Sequence, residues 1–181
     1  VLCGDNFGVV TGKQEGDDVL DGGEGDDELY GQGGNDVLIG GTGNDTLVGG
    51  KGKDTYIYNK GDGVDTIWDT PAGSNDPEAS ILVFGEGVDR SDIKFRLGSL
   101  HVDIGGGEGV HFMGFDPDQP NATPVIGEIH FSDGSVLGYA DILAQGFDID
   151  GTVDDDLLAG TAVTDRMNGL SGNDTLVAKA G

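Results

Sequence analysis

The chain is poor in positive charge: nine Lys and Arg stand against 34 Asp and Glu in 181 residues, for a formal net charge of −25. This balance argues against nucleic acid, whose phosphates are held by Lys and Arg, and against anionic membrane surfaces. Cysteine is almost absent. Cys3 stands alone, so no internal disulfide can form, and nothing near it would lower its thiol pKa. No apolar run approaches the roughly 18 residues of a membrane-spanning helix. The opening VLCGDNFG lacks the basic and apolar segments of a signal peptide, so any export signal is expected elsewhere or outside this chain. Helical patterning is scarce too, with YADILAQG from Tyr139 the one short candidate. Hydrophobic residues make up 35% and glycines number 36. Self-repulsion and the entropy of ordering glycine therefore both oppose collapse, and a cation is missing from the inventory.

What is present is a repeat. From Lys13 the chain reads in nines: KQEGDDVLD, GGEGDDELY, GQGGNDVLI, GGTGNDTLV and GGKGKDTYI. The sixth positions are Asp18, Asp27, Asp36, Asp45 and Asp54, and the eighth are Leu20, Leu29, Leu38, Leu47 and Tyr56. After Tyr58 and Asn59 the register resumes as KGDGVDTIW from Lys60, with Asp65 sixth and Ile67 eighth. A second array, GTVDDDLLA, GTAVTDRMN and GLSGNDTLV, starts at Gly151 and puts Asp156, Asp165 and Asp174 at sixth positions.

Short-period self-similarity marks a stacked solenoid, because one unit cannot bury its apolar residue without a neighbour. Nine residues suit a half-coil: a glycine-rich turn of about six residues, then a short strand whose inward residue is the eighth. Turn k then stacks on turn k+2. Positive-φ glycines let successive carbonyls curl toward one point, and Asp adds a charged oxygen. Such an oxygen-only shell is the chemistry of a hard cation, with Ca²⁺ favoured over the more demanding Mg²⁺. An acidic low-complexity linker is the alternative, but a linker has no reason to keep an apolar residue two places after each Asp.

These repeats resemble the RTX, or haemolysin-type calcium-binding, nonapeptide G-G-x-G-x-D-x-U-x. The resemblance implies a parallel β-roll with Ca²⁺ between stacked turns. One turn would offer the carbonyls of positions two and four with its Asp, and the next turn on that side those of positions one and three with its own. Carried over, Gly23, Gly25 and Asp27 face Gly40, Thr42 and Asp45. Gln32, Gly34 and Asp36 face Gly49, Lys51 and Asp54, and Gly41, Gly43 and Asp45 face Lys60, Asp62 and Asp65 across the two-residue insertion. The first turn, where Lys13 and Gln14 replace the leading glycines, offers Gln14, Gly16 and Asp18 to Gly31, Gly33 and Asp36. Gly22 and Glu24 hold positions one and three of the second turn. Six turns pair into four complete gaps, so about four Ca²⁺ are expected, with folding coupled to metal.

Between Asp69 and about Asp150 two-residue alternation takes over. DIKFRLGSLHVDIG places Ile93, Phe95 and Leu97 on one face and returns with Leu100, Val102 and Ile104; SILVFG and GVHFMGF read as strands, and GEIHFSDGSVLGY as a hairpin about Asp133 and Gly134. This predicts an antiparallel β unit. It resembles the calcium-binding-related segment that follows RTX repeats, which implies that it caps the open end of the roll, with Trp68, Phe84, Phe95 and Phe112 as covering aromatics.

His101, His111 and His130 sit in alternating strands, and neither a nucleophile elbow nor a helical zincin His pair occurs. Asp133 is explained by its turn. No catalytic residue is assigned and the chain is not expected to be an enzyme; self-processing at Asp76-Pro77 or Asp116-Pro117 is set aside because the neighbouring residues do not fit such a module. In the second array Thr152 and Thr161 replace second-position glycines and Val163 a fourth-position one. Three repeats are few for independent stability, so the second array is expected to be weakly ordered by itself and to belong to a longer parent.

The expected organisation is all-β: a flank over residues 1–12, a β-roll over 13–68, an antiparallel cap over 69–150, and a partial second array over 151–181. The family resemblance implies a monomeric calcium-binding module of a larger extracellular bacterial RTX polypeptide, a toxin or adhesin among the candidates, exported by type I secretion machinery. The alternative reading is a module that binds a glycan or a cell-surface receptor, with exposed aromatics such as Trp68 or Tyr139 stacking on sugar.

Overall fold

The computed structural model describes residues 2–3, 9–11, 16–69, 79–97, 100–120 and 124–179. Two short strands, β1 (Leu2–Cys3) and β2 (Val9–Thr11), lead into six that occupy the first array: β3 (Val19–Glu24), β4 (Glu28–Gly33), β5 (Val37–Thr42), β6 (Thr46–Lys51), β7 (Thr55–Tyr58) and β8 (Val64–Trp68). Alternate strands fall in alternate sheets. One sheet runs β1, β3, β5, β7 and the other β2, β4, β6, β8, with every one of these pairings parallel. Leu20 pairs with Leu38 and Leu38 with Tyr56, while Leu29 pairs with Leu47, so one coil takes two nonapeptides. At the insertion the step lengthens: Leu47 pairs with Ile67, and the register holds.

The period of two within each strand decides what is buried. Eighth-position side chains of the first array point between the sheets and are at most 2% exposed, each such burial stabilising by roughly 1.5–3 kcal/mol. Ninth positions face outward, which leaves Trp68 49% exposed rather than covering the core.

The middle segment contains β9 (Ile81–Phe84), β10 (Lys94–Arg96), β11 (Leu100–Gly105), β12 (Glu108–Phe112), β13 (Glu128–His130), β14 (Val136–Gly138), the helix α1 (Tyr139–Gln145) and β15 (Phe147–Asp150). The expected antiparallel pairing joins β10 to β11, β11 to β12, and β13 to β14. In contrast, β9 lies parallel on β7, β12 on β8 and β13 on β9, so the segment prolongs both sheets of the roll. Alternation fixes which face of a strand is buried but not the direction of its partner. The open edges of β7 and β8 settle direction here. Leu82 and Ile129 continue the column of Leu20, Leu38 and Tyr56, and Phe112 that of Leu29, Leu47 and Ile67. Phe84, Phe95 and Phe112 are buried, and Phe84 meets Tyr58 edge-on with ring centres 5.8 Å apart.

In the second array β16 (Leu157–Ala159) pairs in parallel with β18 (Thr175–Val177), and β17 (Asp165–Asn168) lies parallel on β15. These strands too pair two repeats apart, as Phe147 with Asp165 and Leu158 with Leu176.

Candidate metal centres

Each turn of the first array is built on backbone conformations that suit glycine. Among the described residues of these turns second and fourth positions have positive φ, as at Gly41 (97°) and Gly43 (149°), and Gln32 at φ 78° occupies the same region without being glycine. The carbonyls of positions two and four are thereby aimed along the roll at the next turn on that side. A methyl group added at Gly41 would run into the Gly23 oxygen, and one at Gly43 into that of Gly25. In return the first-position carbonyl of the later turn points back. A Cβ on Gly22 would overlap the Gly40 oxygen and lie 2.8 Å from Asp27 Oδ2; one on Gly31 would lie 2.6 Å from the Gly49 oxygen and overlap Asp36 Oδ2.

Two reciprocal ladders lock the turns. The sixth-position N–H of one turn donates to Oδ1 of the sixth-position Asp two repeats on: Asp18 to Asp36 (2.8 Å), Asp27 to Asp45 (2.7 Å), Asp36 to Asp54 (2.8 Å) and Asp45 to Asp65 (3.0 Å). The fifth positions run the other way. The N–H groups of Asn35, Asn44, Lys53 and Val64 donate to Oδ1 of Asp17, Asp26, Asn35 and Asn44. Sequence reasoning missed this second ladder, although its signal, Asp or Asn before each of the first four sixth-position Asp residues, was in view. It also missed Ser80, whose Oγ accepts the Asp54 N–H at 2.9 Å and takes the place of the next Asp. Its signal was Leu82, two places on.

The sixth-position carboxylates from Asp27 to Asp65 are at most 2% exposed. Oδ2 of Asp36 and of Asp45 is buried with no hydrogen-bond partner. Burial pushes the Asp45 carboxyl up to about 6 and, with Asp45 and Asp62 nearby, the Asp65 carboxyl up to about 8. Asp36 and Asp62 are likewise raised by burial. The lysines of these turns, Lys51, Lys53 and Lys60, are exposed. Buried carboxylate oxygens without a counter-charge, faced by converging carbonyls, are a donor set that fits a hard cation. Among the described residues no group of three or more His, Cys, Asp or Glu side chains gathers. Each gap instead combines two carboxylates with main-chain oxygens.

The profile of the RTX calcium-binding nonapeptide repeat matches the chain in four copies, over residues 14–38, 30–67 and 150–181. The chain carries RTX calcium-binding repeats. No curated protein matches it.

Within this RTX array the structure brings together Gly23, Gly25 and Asp27 with Gly40 and Asp45, and Gln32, Gly34 and Asp36 with Gly49 and Asp54. Across the insertion Gly43 and Asp45 meet Asp62 and Asp65, but Gly41 does not close on the turn at Lys60, since a Cβ at Gly61 meets nothing within 4 Å. Third-position carbonyls are shared, since those of Gly33, Thr42, Lys51 and Asp62 accept the N–H of Gly16, Gly25, Gly34 and Gly43. Asp62 also binds the turn at the insertion, its Oδ2 accepting the Asn59 N–H at 2.7 Å. Gln14 lies outside the described residues, as do Lys13 and the Asp76-Pro77 bond. Gly16 and Asp18 of that first turn do reach Gly33 and Asp36.

The histidines occupy strands. His101 on β11 lies opposite His111 on β12, their rings stacked at 3.9 Å, with both pKa values lowered, first by burial. His130 meets Glu128 at 2.8 Å on the outer face of β13. Asp133 accepts the Ser135 N–H at 2.7 Å within its turn.

Proposed function

We propose that the four inter-turn gaps of the first array each bind one Ca²⁺ through the sets above, and that the module folds on calcium as a scaffold of a larger secreted protein. The observation that carries this reading is the buried, unpartnered Oδ2 of Asp36 and Asp45 among converging carbonyls. Bound calcium supplies two positive charges per gap against carboxylates that the fold removes from water. The turns contribute preorganised carbonyls, and the sixth-position ladder fixes each Asp so that one oxygen is spent on the stack and the other is left for the ion. Because each ladder step joins two turns, ordering one gap orders its neighbour, and binding is cooperative.

Export through a type I channel fits this physics. In low-calcium cytosol the carboxylates repel and the chain stays open for threading. Outside, extracellular modules of this type bind calcium at about 10⁻⁴ to 10⁻³ M, and binding to the native state alone stabilises it by mass action. The module is read as non-catalytic, with Asp133 committed to its turn.

A calcium titration followed by far-ultraviolet circular dichroism, with Mg²⁺ in parallel, tests the reading. A cooperative gain of β signal in Ca²⁺ alone is expected. An unchanged spectrum, or an equal response to Mg²⁺, would overturn it.

The exposure of Trp68 favours a second reading, a glycan or receptor contact on the outer face of β8. Tyr139 contributes less, being half-buried with its hydroxyl donated to the Pro120 carbonyl at 2.6 Å. Glycan-array binding by the calcium-loaded module that is lost in Trp68→Ala would support it, and binding unaffected by that change would remove it.

A further inference from the structure

The step at which the second array leaves the middle segment pairs Phe147 to Asp150 with Asp165 to Asn168, and the repeat spacing sets the turn of Gly160 to Asp165 against Ile142 to Phe147, the end of α1 and the start of β15. By repeat spacing it is an inter-turn gap like the others, and the family match extends over its later turn. Its chemistry differs at each place where a cation would bind.

The earlier turn has no carboxylate at its sixth position, because Phe147, fully buried, stands opposite Asp165. Its second-position carbonyl, that of Leu143, accepts the Gly146 N–H at the end of α1. Its fourth-position carbonyl, that of Gln145, accepts from the Arg166 guanidinium, which also bonds the Gly146 carbonyl and pairs with Asp148. In the later turn neither Thr161 nor Val163 has the positive φ of the second and fourth positions in the first array, so this turn is not built like the others. Asp165 is not left with an unpartnered oxygen. The Thr161 N–H donates to its Oδ2, and the fully buried Thr161 hydroxyl lies 3.0 Å from Oδ1 and 3.1 Å from Oδ2. The same hydroxyl accepts the Val163 N–H at 3.1 Å, which closes the turn.

We infer that this joint is held without calcium: the Arg166 guanidinium takes the place of the ion at the carbonyls of the earlier turn, and the Thr161 hydroxyl takes its place at the carboxylate of the later one. A planar guanidinium with several N–H donors can bond two carbonyls and a carboxylate at once, and it stays charged at any working pH. The inference rests on calcium occupying the first array. It adds that the attachment of the second array to the roll persists when calcium is scarce, once the middle segment is folded.

Bound calcium per chain and melting temperature in saturating calcium, measured on the full chain and its variants, test this. Asp165→Asn is expected to leave the calcium count of the wild type unchanged, whereas Asp45→Asn lowers it. Thr161→Val and Arg166→Ala should lower the melting temperature by a few degrees without changing the count, and Thr161→Ser should match the wild type. Loss of an ion in Asp165→Asn, or a melting temperature indifferent to both Thr161→Val and Arg166→Ala, overturns the joint. If Asp165→Asn does not fold, the count in Thr161→Val decides. A count unmoved by Asp45→Asn would instead sink the assignment of calcium to the first array, so the two failures are separable.

Discussion

Asp45 belongs to two gaps at once: its Oδ1 accepts the Asp27 N–H, its own N–H donates to Asp65, and its Oδ2 is buried without a hydrogen-bond partner. Asp45→Asn removes the charge but keeps the shape. It is expected to raise the calcium concentration for half-folding at least about tenfold, equivalent to ~1.4 kcal/mol, while Asp92→Asn on the exposed surface should do nothing. Equal effects in a calcium titration would refute the assignment of Asp45. Titration of the same carboxylates gives the dependence on pH. Their folded-state values are raised, so without metal they favour the folded roll at low pH and lose that contribution as pH rises through about 6 for Asp45 and about 8 for Asp65. Calcium needs the ionised form and must displace those protons. Apparent affinity should therefore fall as pH is lowered from 8 to 5, with protons released on binding; calorimetry in buffers of different ionisation enthalpy would show the release. Glycine adds a third contrast. Gly41 and Gly61 have φ of 97° and 99°, yet a Cβ at Gly41 meets the Gly23 oxygen while one at Gly61 meets nothing within 4 Å. Gly61→Ala should incur only the backbone strain, of order 1–2 kcal/mol, and Gly41→Ala should also close a gap and abolish cooperative folding by circular dichroism.

Among the elements, β9 shows where the stack changes character. Ser80 receives the Asp54 N–H as an Asp would, but brings no charge, and Leu82 then continues the apolar column. Ser80→Ala leaves a buried N–H unsatisfied and should destabilise the calcium-loaded module by about 1–3 kcal/mol, read as a lower melting temperature with calcium stoichiometry intact. A reduced stoichiometry would mean that Ser80 ligates rather than ends the ladder. The same region shows what a sequence makes legible. The eighth-position column could be read because its signal is local: each Leu follows its Asp by two places, and the parallel stacking of alternate turns follows from the period. The sixth-position Asp residues were found for the same reason. The fifth-position ladder and the direction of β9 and β12 were not, because each depends on a partner in another turn or on which sheet edge stands open, and Trp68 was read both as a covering and as an exposed aromatic for the same reason. The Thr161 and Arg166 joint lay furthest from view, since departures from a repeat say only that the pattern has failed there, not what replaces it.

Across the whole molecule the question is whether calcium acts at particular gaps or only screens a net charge of −25. Salt at 1 M shortens the screening length to about 3 Å and weakens repulsion between exposed carboxylates. It does little for Asp36, Asp45 and Asp65, which are about 1% exposed and out of reach of a loose ion atmosphere. If the gaps are specific, 1 M NaCl with chelator should leave the repeats expanded, and millimolar Ca²⁺ should compact the chain at either ionic strength. A fully unfolded chain of this length has a radius of gyration of roughly 45 Å and a compact globule roughly 16 Å, with an elongated roll somewhat above the latter, so small-angle scattering resolves the two. A middle segment that folds alone would appear as an intermediate radius in chelator that still shrinks with calcium. Compaction by NaCl alone to the calcium-bound radius would mean that charge density, not the geometry of the turns, governs folding. The strict two-place spacing from Asp to Leu would then serve the core only.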